Sequence, residues 1–232
     1  MQIRNSFKYA FKRSIPIMVG YFPVGIAYGV LMSEIGYDFV WSALSSLFIY
    51  AGSLQILMVS FLADKTPLFT VIITSLLLNS RHIFYGISFI DKFKKYGFWK
   101  YFLIYGMSDE NYSLLCSYDE KEGVNEKWVH IFSASIIWFC WILFSALGAI
   151  VGQLITFNTT GIDFALTALF VVILIEQFKA SPSKLPGIIG IVLSVLWIFI
   201  IDADNFLLPS LLSTIILLIS FKSKIMPDKE VR

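Results

Sequence analysis

Charge is what this chain has least of. Charged side chains make up 15% of its 232 residues and hydrophobic ones 57%, where soluble domains carry about 25% charge and roughly 45–50% apolar residues. With a mean hydropathy of +0.77, that shortage excludes an ordinary soluble domain and points to a polytopic, all-α membrane protein in a lipid bilayer. Cysteine is scarce too: Cys116 and Cys140 stand in separate apolar stretches with no Cys-x-x-Cys or Cys/His cluster, the setting of small buried residues and not of a disulfide or metal site. His-Glu-x-x-His, Gly-x-Ser-x-Gly and Gly-x-x-x-x-Gly-Lys are all absent, so zinc protease, serine hydrolase and ATPase chemistry have no support and no cofactor is implied. A net charge of +2 gives no footing for nucleic acid. No linker is long enough to separate domains, which leaves a basic N-terminus (1–14), one transmembrane domain (15–221) and a tail (222–232). Met1 to Arg13 leads into a long apolar run without a small-residue cleavage site, so the first helix reads as retained.

What is present is a series of apolar runs. About 20 helical residues cross a 30 Å hydrocarbon core, and on that ruler eight segments emerge: Ile15 to Glu34, Val40 to Leu62, Pro67 to Ile90, Trp99 to Cys116, Trp128 to Leu154, Ile162 to Phe178, Leu185 to Ile201 and Phe206 to Phe221. Arg4, Lys8, Lys12 and Arg13 precede the first and Lys222, Lys224, Lys229 and Arg232 follow the last, which predicts both termini on the cytoplasmic side. Counting back from the C-terminus puts the Asp119 to Lys127 loop on that side as well. Plain alternation then strands Lys92, Lys94, Lys95 and Lys100 outside. The conflict disappears if segments three and four are broken or re-entrant helices; eight full spans are the alternative reading. Non-helical backbone at membrane depth is tolerated only where protein or a wet cavity surrounds it.

Polar residues interrupt these runs at few places. Asn79-Ser80-Arg81-His82 ends an eight-residue apolar stretch, and an Arg at mid-membrane costs about 2.5–3.5 kcal/mol on insertion scales, so a counter-charge is expected. Asn79 and His82 share a helical face, whereas Arg81 lies about 200° from Asn79 on an unbroken helix; only a break near Asn79 would aim Arg81 and His82 into one cavity. Ser108-Asp109-Glu110-Asn111 is the second cluster, and because adjacent helical residues point about 100° apart, at most one of Asp109 and Glu110 meets Arg81 directly. Pro23, Gly25 and Gly29 in the first segment read either as a helix break or as a packing face. Tyr50-Ala51-Gly52-Ser53-Leu54-Gln55 reads either as a crowded crossing with a hydrogen-bonding amide or as a break that offers Gln55 to a ligand. Asp202-Ala203-Asp204 reads as a solvated turn.

The patterns Pro23 to Gly29, Ala51-Gly52-Ser53-x-Gln55, Leu78-Asn79-x-Arg81-His82, Ser108-Asp109-Glu110 and Gly161-Ile162-Asp163-Phe164-Ala165-Leu166 resemble, in order, the large permease subunit of the AzlC type, the azaleucine-resistance or branched-chain amino acid exporter family. The resemblance implies a bacterial inner-membrane secondary exporter of valine, leucine, isoleucine or similar amino acids, driven by the proton gradient and working with a small AzlD-type hydrophobic subunit.

A zwitterion at the midplane needs a cation or helix N-terminus for its carboxylate and an anion or carbonyl for its ammonium. On that requirement Arg81 is the carboxylate partner, Asp109 or Glu110 the ammonium partner and proton carrier with His82 as the competing carrier, and Gln55 and Asn79 the neutral hydrogen-bonding groups. The rival classes are a passive amino acid channel, an intramembrane enzyme that uses His82 with Asp109 or Glu110 as acid and base, and a membrane scaffold or sensor.

Overall fold

Every regular element among the described residues is a helix, as the apolar runs require. The computed structural model describes residues 2–116, 118, 123–154, 171, 174–175, 178–179, 183–201 and 206–220. Among these residues run ten helices: α1 (Gln2–Glu34), α2 (Phe39–Phe48), α3 (Gly52–Ala63), α4 (Leu68–Asn79), α5 (Arg81–Lys94), α6 (Trp99–Tyr105), α7 (Asp109–Cys116), α8 (Glu126–Leu154), α9 (Leu185–Ile200) and α10 (Leu207–Ser220). The Gly161–Leu166 pattern, Glu176, Asp202, Asp204 and the 222–232 tail lie outside the described residues. The chain is an all-α membrane helix bundle. Phe22, Phe48, Ile83, Leu154 and Phe199 all point outward, a surface that water penalises and lipid does not.

Chain contacts divide the protein into two compact units, Met1–Thr66 with Leu78–Leu166, and Pro67–Leu77 with Thr167–Arg232. In the second unit α9 and α10 pack together, and Trp197 Nε1 donates to Ser213 Oγ at 2.9 Å.

The first unit is built on α1 and α8, the two helices among the described residues that are long and apolar enough to cross a bilayer singly. Their contact is backbone against backbone. A Cβ on Gly25 would lie 2.7 Å from Phe144 Cβ, one on Gly29 2.5 Å from the Ala149 nitrogen, and one on Gly148 2.8 Å from Ile26 Cα; real side chains do not approach so closely, so only glycine admits this crossing. α1 passes through Pro16 and Pro23 as one helix, and no break occurs at Pro23. Pro23 and Val19, whose carbonyl its ring crowds, both sit on the outward face, where nothing packed against the helix opposes the adjustment.

One end of this unit gathers the lysines. Asn125 N donates to Ser6 Oγ at 2.9 Å, Asn5 Nδ2 lies 3.4 Å from the Gly123 carbonyl, and Lys92 Nζ pairs with Glu126 Oε1 at 2.5 Å. The N-terminus, the 91–100 loop and the start of α8 therefore share one end. Burial, with Glu126 adding to it, holds the Tyr96 hydroxyl above the ordinary tyrosine range, so it remains a neutral partner 3.4 Å from His130 Nδ1.

From this end α6 and α7 form a hairpin. Trp99 lies 6.0 Å from Trp128, Phe102 and Tyr105 reach Trp138 at 5.9 and 5.8 Å, and after α7 the ring of Tyr118 is back beside His130 at 5.7 Å and Tyr9 at 6.0 Å. Ten residues of α8 separate Trp128 from Trp138, about 15 Å of rise, half a hydrocarbon core. The fourth segment thus enters and leaves at the lysine end without crossing.

Candidate functional site

Two helix interruptions meet halfway along α8. The first separates α2 from α3. Tyr50 has φ +44°, the left-handed region that a bulky L-residue enters at a cost of about 1–2 kcal/mol, so its surroundings must hold it there. They do so by satisfying the backbone groups that an interruption exposes. Tyr105 Oη donates to the Leu47 carbonyl. Gln55 Oε1 accepts the Ala51 N–H at 3.2 Å and the Trp141 indole N–H at 2.9 Å, while Gln55 Nε2 donates to Ser46 Oγ at 3.0 Å.

The second interruption, Gly106 to Ser108, divides α6 from α7. Ser108 acts as the N-cap of α7, its Oγ accepting the Asn111 N–H at 3.2 Å, and Asn111 Nδ2 donates back to the Gly106 carbonyl at 2.9 Å. Glu110 falls in the first turn of α7, where a carboxylate is favoured by the helix dipole.

Between the interruptions Tyr21 of α1 donates through Oη to Glu110 Oε2 at 2.7 Å and lies 3.4 Å from Ser108 Oγ. The Tyr50 side chain shares these neighbours, and its buried hydroxyl makes no hydrogen bond of normal geometry. Trp141 forms the adjacent wall: Tyr28 stacks on it at 6.1 Å, Tyr21 meets it edge-on at 5.1 Å, and a Cβ added to Gly52 would lie 3.5 Å from its ring. Trp141 stands fifteen residues into α8, about 22 Å along its axis, so this cluster of one carboxylate and three hydroxyls sits at mid-depth.

The third segment is interrupted as well, at Ser80, where Ile83 N reaches the Ser80 carbonyl at 3.1 Å in a tightened turn. His82 Nδ1 lies 3.2 Å from the Asn79 carbonyl, and Asn79 Oδ1 is buried without a hydrogen bond. Tyr85 carries this junction to α7 by stacking on Tyr112 at 4.4 Å. The side chain of Arg81 lies outside the described residues. Among the described residues no three His, Cys, Asp or Glu side chains converge as a metal site.

Of the residues singled out from sequence, the structure brings Gln55, Gly52 and Glu110 around this cluster, sets Asn79 and His82 at the α4–α5 junction, and places Gly25 and Gly29 against α8. The amide of Gln55 is fully engaged in holding the first interruption. Sequence alone does not single out Tyr21, Tyr50, Ser108 or Trp141: Tyr50 and Ser108 stand inside patterns whose weight falls on other residues, Tyr21 lies just before the Pro23 to Gly29 pattern, and Trp141 lies in a run with no local signal. Because Gln55 supplies the acceptor for the buried indole N–H of Trp141 and the half-buried N–H of Ala51, Gln55→Leu is expected to destabilise the protein by about 1–3 kcal/mol. Ser46→Ala should cost about 1 kcal/mol, and melting of the detergent-solubilised protein measures both.

The family model described as "AzlC protein" matches residues 16–155. The chain belongs to the AzlC family. A Bacillus subtilis member, the "Branched-chain amino acid transport protein AzlC", is 34% identical over 212 residues, 91% of this chain and 84% of its own length. A relative from Helicobacter pylori, described only as a membrane protein, is 36% identical over 95% of this chain and 97% of its own. Another from Haemophilus influenzae, likewise described, is 31% identical over 90% and 86%. No solved structure matches the chain.

Proposed function

We propose that this protein is the large subunit of a secondary exporter that moves branched-chain or other apolar amino acids out across the bacterial inner membrane, coupled to proton entry and assembled with a small AzlD-type hydrophobic subunit. The observation that carries this reading is Glu110, a carboxylate held at mid-depth by Tyr21 between two helix interruptions; interrupted helices around a midplane polar site are the usual construction of a transporter. The kinship with the Bacillus subtilis branched-chain amino acid transport protein supports this substrate class.

In this reading Arg81 takes the substrate carboxylate, and Asp109 and Glu110 serve the ammonium and the coupling proton, with His82 as the competing carrier. Asn79 adds a buried amide oxygen without a hydrogen bond, and Gln55 acts through the interruption that it holds. In this reading the lysine-bearing end of the first unit faces the cytoplasm, following the positive-inside bias, and the basic residues that flank the first and last segments assign both termini to the cytoplasmic side of the membrane.

The test is release. Cells loaded with dipeptides containing Val, Leu, Ile or Met should export the corresponding free amino acid faster when this chain and the small subunit are expressed together. If no amino acid is released faster, the exporter reading fails.

A further inference from the structure

We propose that Tyr50 contacts the substrate: its hydroxyl, together with Glu110 and Ser108, receives the primary ammonium group of the transported amino acid. This rests on the amino acid transport reading above and adds to it a residue and a chemical specificity.

Four observations converge on Tyr50. It is 6% exposed, and its buried hydroxyl interacts with Ser108 and Tyr21 without closing a hydrogen bond of normal geometry to either, so hydrogen-bonding capacity is left for a further partner. It stands at the non-helical residue of the first interruption with φ +44°, and so turns its ring where a helical residue would not. Its neighbours are Tyr21, Ser108 and Glu110, so the surroundings offer oxygen atoms and one negative charge. That set suits a donor-only cation with three N–H bonds in a compact head. Finally, the backbone that presents Tyr50 is fixed by Gln55, whose three hydrogen bonds join Ala51, Ser46 and Trp141. The ring itself is held by Tyr105 at 6.1 Å and Trp138 at 6.4 Å, contacts that phenylalanine would keep.

Three ligands separate the roles: leucine, leucinamide, which keeps the ammonium but lacks the carboxylate, and 2-hydroxy-4-methylpentanoate, which keeps the carboxylate and side chain but lacks the ammonium. Competition against radiolabelled leucine on the full-length chain, purified with the small subunit, gives the affinity for each. Tyr50→Phe should weaken leucine and leucinamide by about tenfold, the scale of one hydrogen bond to a charged group, and should change the hydroxy acid by less than about twofold. Unchanged leucine affinity, or equal weakening of all three ligands, would overturn the assignment while the transport reading stands. Failure of the unsubstituted protein to bind any of leucine, valine, isoleucine and methionine would overturn the transport reading itself. Where Tyr50→Phe does not accumulate, 3-fluorotyrosine incorporated at Tyr50 keeps the hydroxyl, and its fluorine resonance should shift with leucine and not with the hydroxy acid. A shift of equal size with both, or with neither, would count against the contact.

Discussion

Replacing Glu110 by Gln is expected to abolish uphill efflux of leucine while leaving the protein in the membrane at its normal level. Glutamine keeps the size of the side chain and still offers an oxygen to Tyr21 Oη, which now donates to Glu110 Oε2 at 2.7 Å, so packing around α7 should survive. What is lost is the negative charge. A hydrogen bond to a charged group contributes about 1.5–3 kcal/mol, so binding of the ammonium should weaken by roughly ten- to a hundredfold. Loss of the titrating group removes more than affinity. If Glu110 carries the coupling proton, exchange of internal for external leucine needs no net proton movement and should persist in Glu110→Gln at raised substrate concentration, while efflux against a gradient disappears. Proteoliposomes with and without a proton gradient distinguish the two modes. Uphill efflux retained in Glu110→Gln would remove Glu110 from the coupling step and leave Asp109 and His82, for which Asp109→Asn and His82→Gln are the parallel variants. Arg81→Ala, by contrast, should lower affinity for leucine without touching leucinamide.

The features of this design differ in how far they can be read from the chain alone, and the reason is range. Apolar runs and the shortage of charge are properties of contiguous segments, so the all-α bundle and the two long helices follow directly from them. The misplaced lysines were also legible: their conflict with plain alternation pointed to segments three and four, and α6–α7 does turn back at Gly106 to Ser108. Gln55 stood out as an amide in an apolar run, but its role depends on Trp141, 86 residues away, and nothing local marks that tryptophan among the chain's six. The same holds for Tyr21, which becomes polar machinery only because Glu110 arrives beside it from α7. Pro23 shows the reverse case. Its local chemistry argues for a break, yet the ring faces outward and α1 absorbs it, while the actual interruption at Tyr50 contains no proline and rests on contacts from α6 and α8.

Those contacts depend on the α1–α8 crossing, which gives Gly29→Ala a large expected effect on stability. The added methyl would lie 2.5 Å from the Ala149 nitrogen and closer still to the Ser145 carbonyl oxygen. Both obstacles are backbone and cannot rotate aside, so the helices must separate. Overpacking a tight core costs about 1–3 kcal/mol, occasionally more, and this site should fall at the upper end. Gly148→Ala, whose methyl would meet the backbone of Ile26, should do the same from the other side. Gly20→Ala is the control: it lies on α1 with nothing within 4 Å of the new methyl, and replacing a helical glycine by alanine there should be neutral or stabilising by up to about 1 kcal/mol. Apparent melting temperatures of the three detergent-solubilised variants decide the matter, and a Gly29→Ala protein as stable as Gly20→Ala would refute the backbone-contact geometry. The consequence reaches the polar cluster, because α1 carries Tyr21 and Tyr28 while α8 carries Trp141. Parting the helices draws the Tyr21 hydroxyl away from Glu110, so Gly29→Ala protein that still reaches the membrane should also export more slowly, through a displaced hydrogen bond and with every polar residue of the site intact.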